Sequence, residues 1–112
     1  MAFKPLVYIC APFSGDIEGN TKKAIQYAKF AYFKGAIPVT PHVMFPFLDD
    51  TNENHRSSAL FMDIILLGKC QEVWVFGDEL TSGMQEELAV ASRRKQTIRY
   101  FKEEYYEDSI WK

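Results

Sequence analysis

Short strand-like runs alternate along the chain with longer segments of helical periodicity. The runs cover Leu6–Cys10, 36–40, Glu72–Phe76 and Thr97–Phe101, and the helical segments cover 20–34, 54–70 and 83–95. The runs are largely apolar rather than alternately apolar and polar, which is typical of a parallel sheet covered by helices on both faces. Because parallel crossovers are right-handed, this order predicts a small doubly wound α/β fold of about four strands in the order 2-1-3-4.

The chain is expected to form a single domain over residues 1–112. Its length fits one domain, and no repeat, low-complexity tract or linker divides it. With 47% hydrophobic and 15% aromatic residues, the chain can bury a core, which excludes disorder. Residues 102–112 form an acidic and aromatic tail, for which packing on a partner subunit is one expectation.

Charge and cysteine content exclude several classes of protein. The 13 Lys and Arg residues against 15 Asp and Glu residues argue against a nucleic-acid binder. No apolar run is long enough to cross a bilayer, and the first residues do not resemble a signal peptide. His42 and His55 lack metal-ligand spacing with Cys10 or Cys70, so we expect no metal site, and two cysteines do not make a disulfide scaffold. These features predict a soluble cytoplasmic domain with reduced thiols.

One glutamate of the third helix lies where the helical pattern requires an apolar side chain. Met84, Leu88 and Ala91 form the apolar stripe of this helix. Glu87 falls on the same stripe, whereas Glu86 projects to one side. Since burial of a charge costs several kcal/mol, such a residue needs a partner or a function. The alternative is a glutamate in the first turn whose carboxylate is satisfied by free backbone N–H groups.

The second helix carries a similar exception at Asp63. This aspartate falls within an apolar stripe that consists of Ala59, Met62, Leu66, Leu67 and Cys70. The helix is apolar nearly all round, because a second face carries Leu60, Phe61, Ile64 and Ile65. That second face indicates packing against another subunit, and the alternative role for Asp63 is a polar residue at the rim of the interface.

The loops at the carboxyl ends of the strands are the predicted ligand site, because a doubly wound fold binds its ligand where the strand order reverses. These loops cover 11–19, 40–54 and 77–83. Strand 1 brings Tyr8 near this edge, although a lone tyrosine is more often a core residue. The turn after it offers backbone N–H groups to sugar hydroxyls or phosphate, and it lacks both G-x-G-x-x-G and the P-loop lysine. Ser82 and Gly83 form a second candidate hydroxyl or anion site, and Ser82 is equally a simple N-cap.

Three segments, taken in order, resemble the nucleoside 2-deoxyribosyltransferase superfamily. YICAPF at 8–13 resembles the opening strand and loop of that family, and SGMQEE at 82–87 resembles its Ser-Gly-x-x-x-Glu segment. The second segment maps the family's nucleophilic glutamate onto Glu87, the residue that the helical stripe also selects. Asp63 resembles the family's helix aspartate, and Tyr8 resembles the tyrosine that positions the nucleophile. The segments around His42 and Asp78 resemble a small branch of the superfamily, and the resemblance spans about residues 6–100.

The resemblance implies cleavage of the N-glycosidic bond of a (deoxy)nucleoside or nucleotide through attack of the Glu87 carboxylate on C1′. It implies that Asp63 contacts the sugar or assists the departing base, and that Tyr8 aligns Glu87. The implied substrate-binding residues are Ala11, Pro12, Phe13, Ser14, Gly15, Asp16, His42, Asp78, Ser82, Gly83 and Met84. A homodimer or larger homo-oligomer that needs no cofactor is also implied.

The resemblance leaves the acceptor and the substrate open. Water as acceptor makes the protein a hydrolase, and a second base makes it a transferase. The chain is shorter than the transferases, and Asp16 in the first loop, with basic residues only at Lys22 and Lys23, weakens the case for a 5′-phosphorylated substrate. The alternative function is a non-catalytic module that binds or sequesters a nucleotide on the same scaffold. A structural protein that works through its apolar second helix is a third reading.

Overall fold

A computed structural model describes residues 3–102 as a four-stranded parallel sheet with three α-helices. In chain order the elements are β1 (Leu6–Cys10), α1 (Ile17–Phe33), β2 (Ile37–Val39), a 3-10 turn (Pro41–Val43), α2 (Glu53–Gly68), β3 (Glu72–Phe76), α3 (Ser82–Arg93) and β4 (Thr97–Phe101). The strands lie in the order β2-β1-β3-β4, and every pair is parallel. The predicted doubly wound α/β fold and its strand order are confirmed.

Strand β1 lies between β2 and β3, so the strand order reverses at its carboxyl end. Its residue Tyr8 pairs with Val39 of β2 on one side and with Val73 of β3 on the other. The chain therefore leaves β1 toward β2 and returns past β1 to reach β3. The loops after β1 and β3 consequently diverge, which opens the crevice where such folds bind ligands.

The two faces of the sheet are covered by different helices. Because side chains alternate along a strand, Val7 and Ile9 of β1 pack with the residues of α1, such as Phe30. Tyr8 and Cys10 belong to the opposite core, which α2 and α3 complete with Leu67, Cys70, Met84, Leu88 and Ala91. The site described below is built on this second face.

Several boundaries differ from the expectation. Helix α1 begins at Ile17 rather than at residue 20, because Asp16 caps it and accepts a hydrogen bond of 3.0 Å from the backbone N–H of Gly19. The cap of α3 is Thr81, whose hydroxyl accepts from the backbone N–H of Met84 at 3.2 Å, so the alternative in which Ser82 is a simple N-cap is wrong. Strand β2 is three residues long and lies at the edge, as its proline predicts.

Two further expectations concern membranes and the tail. Within residues 3–102, no helix is both long enough and apolar enough to span a membrane. The tail that was expected to pack on a partner subunit falls at 102–112, and all of it except residue 102 lies outside the described residues.

Candidate active site

A cavity of about 840 Å³ opens at the carboxyl ends of β1 and β2. Its walls come from the turn after β1, from the segment after β2, from α2 and from the first two turns of α3. This position is the switch point at which a doubly wound sheet offers a ligand crevice. The volume lies within the range of about 300–1,000 Å³ that is common for small-molecule sites.

Most of the residues that the sequence singled out line this cavity. They are Tyr8, Ala11, Phe13, Ser14, His42, Asp63, Ser82, Gly83, Met84 and Glu87. The other four of that set lie outside its walls: Pro12, Gly15, Asp16 and Asp78. Asp16 is instead the exposed cap of α1, and Asp78 is exposed in the turn after β3.

Glu87 is the most buried acidic residue of the cavity wall, with 8% of its surface exposed. It lies on the buried stripe of α3 together with Met84, Leu88 and Ala91, whereas Glu86 is exposed, as the periodicity predicts. It lies beyond the first turn, and its carboxylate accepts hydrogen bonds from side chains of β1. The alternative of a first-turn glutamate satisfied by backbone N–H groups is therefore wrong.

Two donors from β1 hold the Glu87 carboxylate. The hydroxyl of Tyr8 donates to Oε2, and the thiol of Cys10 lies 3.7 Å from Oε1 and donates to it. Burial and the neighbouring carboxylates raise the pKa of Tyr8 well above its usual value, so its hydroxyl keeps its proton. Tyr8 is thus a fixed donor whose ring is fully buried in the core.

Burial also governs the acidity of Glu87. Removal from water raises the pKa of Glu87 to about 7, and the charges of Asp63 and Glu86 add to the rise. The hydrogen bonds from Tyr8 and Cys10 oppose it, because they stabilise the ionised carboxylate. Glu87 therefore titrates near neutrality rather than in the usual acidic range.

Asp63 is the second carboxyl group of the site. It lies on α2, is half-buried, and its Oδ1 is buried without a hydrogen-bond partner among the described residues. Burial raises the pKa of Asp63 to about 7. Two neighbouring carboxylates ionise together only at a cost, and the hydrogen bonds from Tyr8 and Cys10 favour the ionised form on Glu87.

His42 joins the segment after β2 to the turn after β1. Its Nε2 lies 3.2 Å from the carbonyl oxygen of Ala11 and 3.0 Å from that of Pro12. Both partners are acceptors, so Nε2 carries the proton and Nδ1 is unprotonated. Burial lowers the pKa of His42, which keeps the ring neutral. The ring of Phe13 packs edge-on against it, with centroids 5.5 Å apart.

The wall of the cavity carries several acidic side chains. Asp50 accepts a hydrogen bond from Ser14 at 3.4 Å, and the Nε of Arg56 lies 4.0 Å from the same carboxylate. The carboxylates in the cavity wall belong to Asp49, Asp50, Glu53, Asp63, Glu86 and Glu87. Arg56 is the one Lys or Arg side chain among the described lining residues. Within residues 3–102, no group of three His, Cys, Asp or Glu side chains is arranged to hold a metal ion.

Sequence reasoning missed three residues of this site: Cys10, Asp50 and Arg56. Cys10 had a usable signal, since it lies two residues after Tyr8 on a strand and so shares its face. Asp50 and Arg56 lie in a loop and at the start of α2, where no periodicity fixes the direction of a side chain.

Fold and site together define the class of protein: a doubly wound α/β domain with two carboxyl groups at its switch point. One of the two is a glutamate that accepts hydrogen bonds from a strand. The sequence profile of a family described as Domain of unknown function (DUF7768) matches residues 5–101, and the chain belongs to this family. No curated protein matches the chain.

Proposed function

We propose that the protein cleaves the N-glycosidic bond of a (deoxy)nucleoside, with Glu87 as the nucleophile. The observation that carries this proposal is the Glu87 carboxylate itself, which is buried at the switch point, held by Tyr8 and adjacent to a second carboxyl group. A retaining glycosidic mechanism requires one ionised carboxylate and one proton donor at the same site. Glu87 and Asp63 supply this pair.

The first step transfers the sugar to the protein. A carboxylate oxygen of Glu87 attacks C1′ while the bond from C1′ to the base nitrogen breaks, through an oxocarbenium-like transition state. The base leaves with the electron pair of that bond and takes the proton of Asp63. The products are the free base, a glycosyl ester on Glu87 and an ionised Asp63.

The second step frees the sugar. Water attacks C1′, Asp63 takes a proton from that water, and the ester bond to Glu87 breaks. The sugar leaves with a hydroxyl at C1′, and both carboxyl groups return to their starting states. If a second base attacks in place of water, the same two groups perform a transfer reaction.

Charge favours a nucleoside over its 5′-monophosphate as the substrate. Carboxylates prevail among the charged side chains of the described lining residues, and the Arg56 side chain already lies beside Asp50. A phosphate group would face these carboxylates with little compensation. A neutral nucleoside has hydroxyl groups that suit carboxylate acceptors, and the ring of Phe13 offers an apolar surface to the base.

The proposal also covers the oligomeric state and the cellular location of the protein. The outer face of α2 leaves Phe61 66% exposed and Ile65 49% exposed, and a second copy of the chain would cover such a face. We therefore expect a homodimer or larger homo-oligomer. The proposed setting is the cytoplasm, where the two buried cysteines stay reduced.

The experiment is chromatography of free base released from ribo- and deoxyribonucleosides and from their 5′-monophosphates, with and without a second base. We expect release by the wild type, with nucleosides cleaved faster than monophosphates. Glu87→Gln should lower the rate by about 1,000-fold or more. The matched control is Glu79→Gln, the same change at an exposed residue outside the cavity wall, which should retain activity.

Two outcomes would contradict the proposal. Full activity in the Glu87→Gln variant would remove Glu87 from the reaction. No release from any substrate, combined with a saturable rise in melting temperature on addition of a nucleoside or nucleotide, would favour the non-catalytic binding module.

A further inference from the structure

Each oxygen of the Glu87 carboxylate has its own donor, and both donors come from β1. Tyr8 donates to Oε2, and the Sγ of Cys10 lies 3.7 Å from Oε1. The two donors are separated by one residue, so their side chains leave the strand on the same face. The strand thus presents a hydroxyl and a thiol to one carboxylate.

We propose that Cys10 is a positioning residue for Glu87. Its thiol donates to Oε1, prevents rotation of the carboxylate about its terminal bond and favours its ionised form. This proposal rests on the proposed function, in which Glu87 is the nucleophile. The hydrogen bond itself exists independently of any reaction.

The surroundings of Cys10 suit a donor rather than a nucleophile. The residue is fully buried in the core beneath α3, where it packs with Val73, Val75 and Met84. Burial and the nearby Glu87 carboxylate raise the pKa of the thiol, so the sulfur retains its proton. A thiol also packs as a small apolar group, which lets one side chain fill the core and donate to a carboxylate.

Two donors leave the carboxylate free to react. An ionised carboxylate accepts about four hydrogen bonds, two on each oxygen, so one donor on each oxygen leaves a lone pair on both. The donors fix the plane of the group, and fixed orientation lowers the barrier for attack on C1′. Because the Glu87 carboxylate is largely buried, even a weak thiol donor has a measurable effect on its ionisation.

The test is a direct titration of Glu87 by carbon-13 NMR of protein labelled at the glutamate side-chain carboxyl carbon, with Glu87→Gln identifying the signal. The variants are Cys10→Ala, which removes the donor, and Cys10→Ser, which restores one. The matched control is Cys70→Ala, because Cys70 is a second buried thiol of the same core whose Sγ donates to the carbonyl oxygen of Leu66 instead.

We expect Cys10→Ala to raise the pKa of Glu87 by about half a unit or more, which is about a threefold change in the ionisation constant. Cys10→Ser should return it to the wild-type value or below, and Cys70→Ala should leave it unchanged. If the pKa of Glu87 stays at the wild-type value in Cys10→Ala as well as in Cys70→Ala, the thiol of Cys10 does not donate and the inference is overturned. Equal rises in both cysteine-to-alanine variants would also overturn it, because they would reflect loosened packing.

Activity assays separate this inference from the proposed function. Where base release is measurable, the acid limb of kcat/KM against pH should move with the pKa of Glu87 in Cys10→Ala. Base release with no shift in either readout overturns the role of Cys10 and leaves the function standing. Absence of base release from every variant, with the NMR shift present, overturns the function and leaves the hydrogen bond standing.

Discussion

Glu87 and Asp63 are acids that the fold keeps largely away from water, and burial raises the pKa of each to about 7. In the unfolded chain both would ionise in the usual acidic range. The stability that these groups contribute is therefore fully present below the unfolded pKa and is lost as the pH rises through about 7. The groups that suit the site to proton transfer thus weaken the fold at alkaline pH.

Replacement of Asp63 by asparagine tests this linkage. Asp63→Asn removes the group that must ionise inside the fold, so the free energy of unfolding should rise by up to about 4 kcal/mol at alkaline pH and change little near pH 4. Urea denaturation at both pH values measures the difference. Asp78→Asn, at an exposed position, is the control and should show no pH-dependent gain. An equal effect of Asp63→Asn at both pH values would contradict the account.

Helical periodicity predicts some residues of this site and not others. The stripe of α3 singled out Glu87 because helical spacing fixes which side chains face the sheet. The same reasoning predicts Asp63 on a buried stripe, and in the structure it is half-buried, with an Oδ1 that has no hydrogen-bond partner among residues 3–102. The donors to Glu87 could not be predicted from α3 alone, because a contact between β1 and α3 depends on how the helix lies across the sheet.

Among the elements, α3 carries the nucleophile, and its start is set by Thr81. The Thr81 hydroxyl accepts from the backbone N–H of Met84, whereas Ser82 is exposed and is the first helical residue. Thr81→Ala should lower the free energy of unfolding by about 1 kcal/mol, the usual value of an N-cap, and Ser82→Ala should leave it nearly unchanged. Thermal or urea denaturation measures the change in the free energy of unfolding for each of the two variants. A larger loss in Ser82→Ala than in Thr81→Ala would show that the helix begins elsewhere.

The order of the elements could be predicted because the apolar runs are short and the helical segments between them are long enough for crossovers. Cap positions could not, since Thr81 and Ser82 are adjacent and both have the chemistry of an N-cap. The start of α1 was misplaced for a similar reason. Asp16 was assigned to a ligand loop, and its carboxylate instead caps the helix through the N–H of Gly19.

At the scale of the whole molecule, the outer face of α2 leads us to expect self-association. Phe61→Ser should shift an oligomer toward the monomer, because it removes an aromatic side chain that is 66% exposed on that face. Light scattering over a range of concentrations measures the change. Tyr100→Ser is the matched control, since Tyr100 is an aromatic residue that is 65% exposed on a different element, β4. A wild-type protein that remains monomeric at all concentrations would contradict the expectation.

The switch point of the sheet, the cavity and the pair of carboxyl groups all lie at the carboxyl end of β1. Topology alone predicted the location of the cavity, because the reversal of strand order at β1 opens a crevice whatever the side chains are. The sequence does not predict the carboxylate of Asp50 beside Arg56 in the cavity wall. Asp50 and Arg56 meet there only through the path of the loop after β2.

The most direct test of the central claim is mass spectrometry of the protein during turnover of a nucleoside whose sugar carries fluorine at C2′. Fluorine slows both steps by destabilising positive charge at C1′, and a base that is a good leaving group keeps the first step faster than the second, so a glycosyl ester should accumulate. We predict a mass increase equal to one fluorosugar residue on the peptide that contains Glu87, with an equal amount of base released. The increase should be absent in Glu87→Gln. Release of base without any adduct, or an adduct on a peptide that lacks Glu87, would contradict the account.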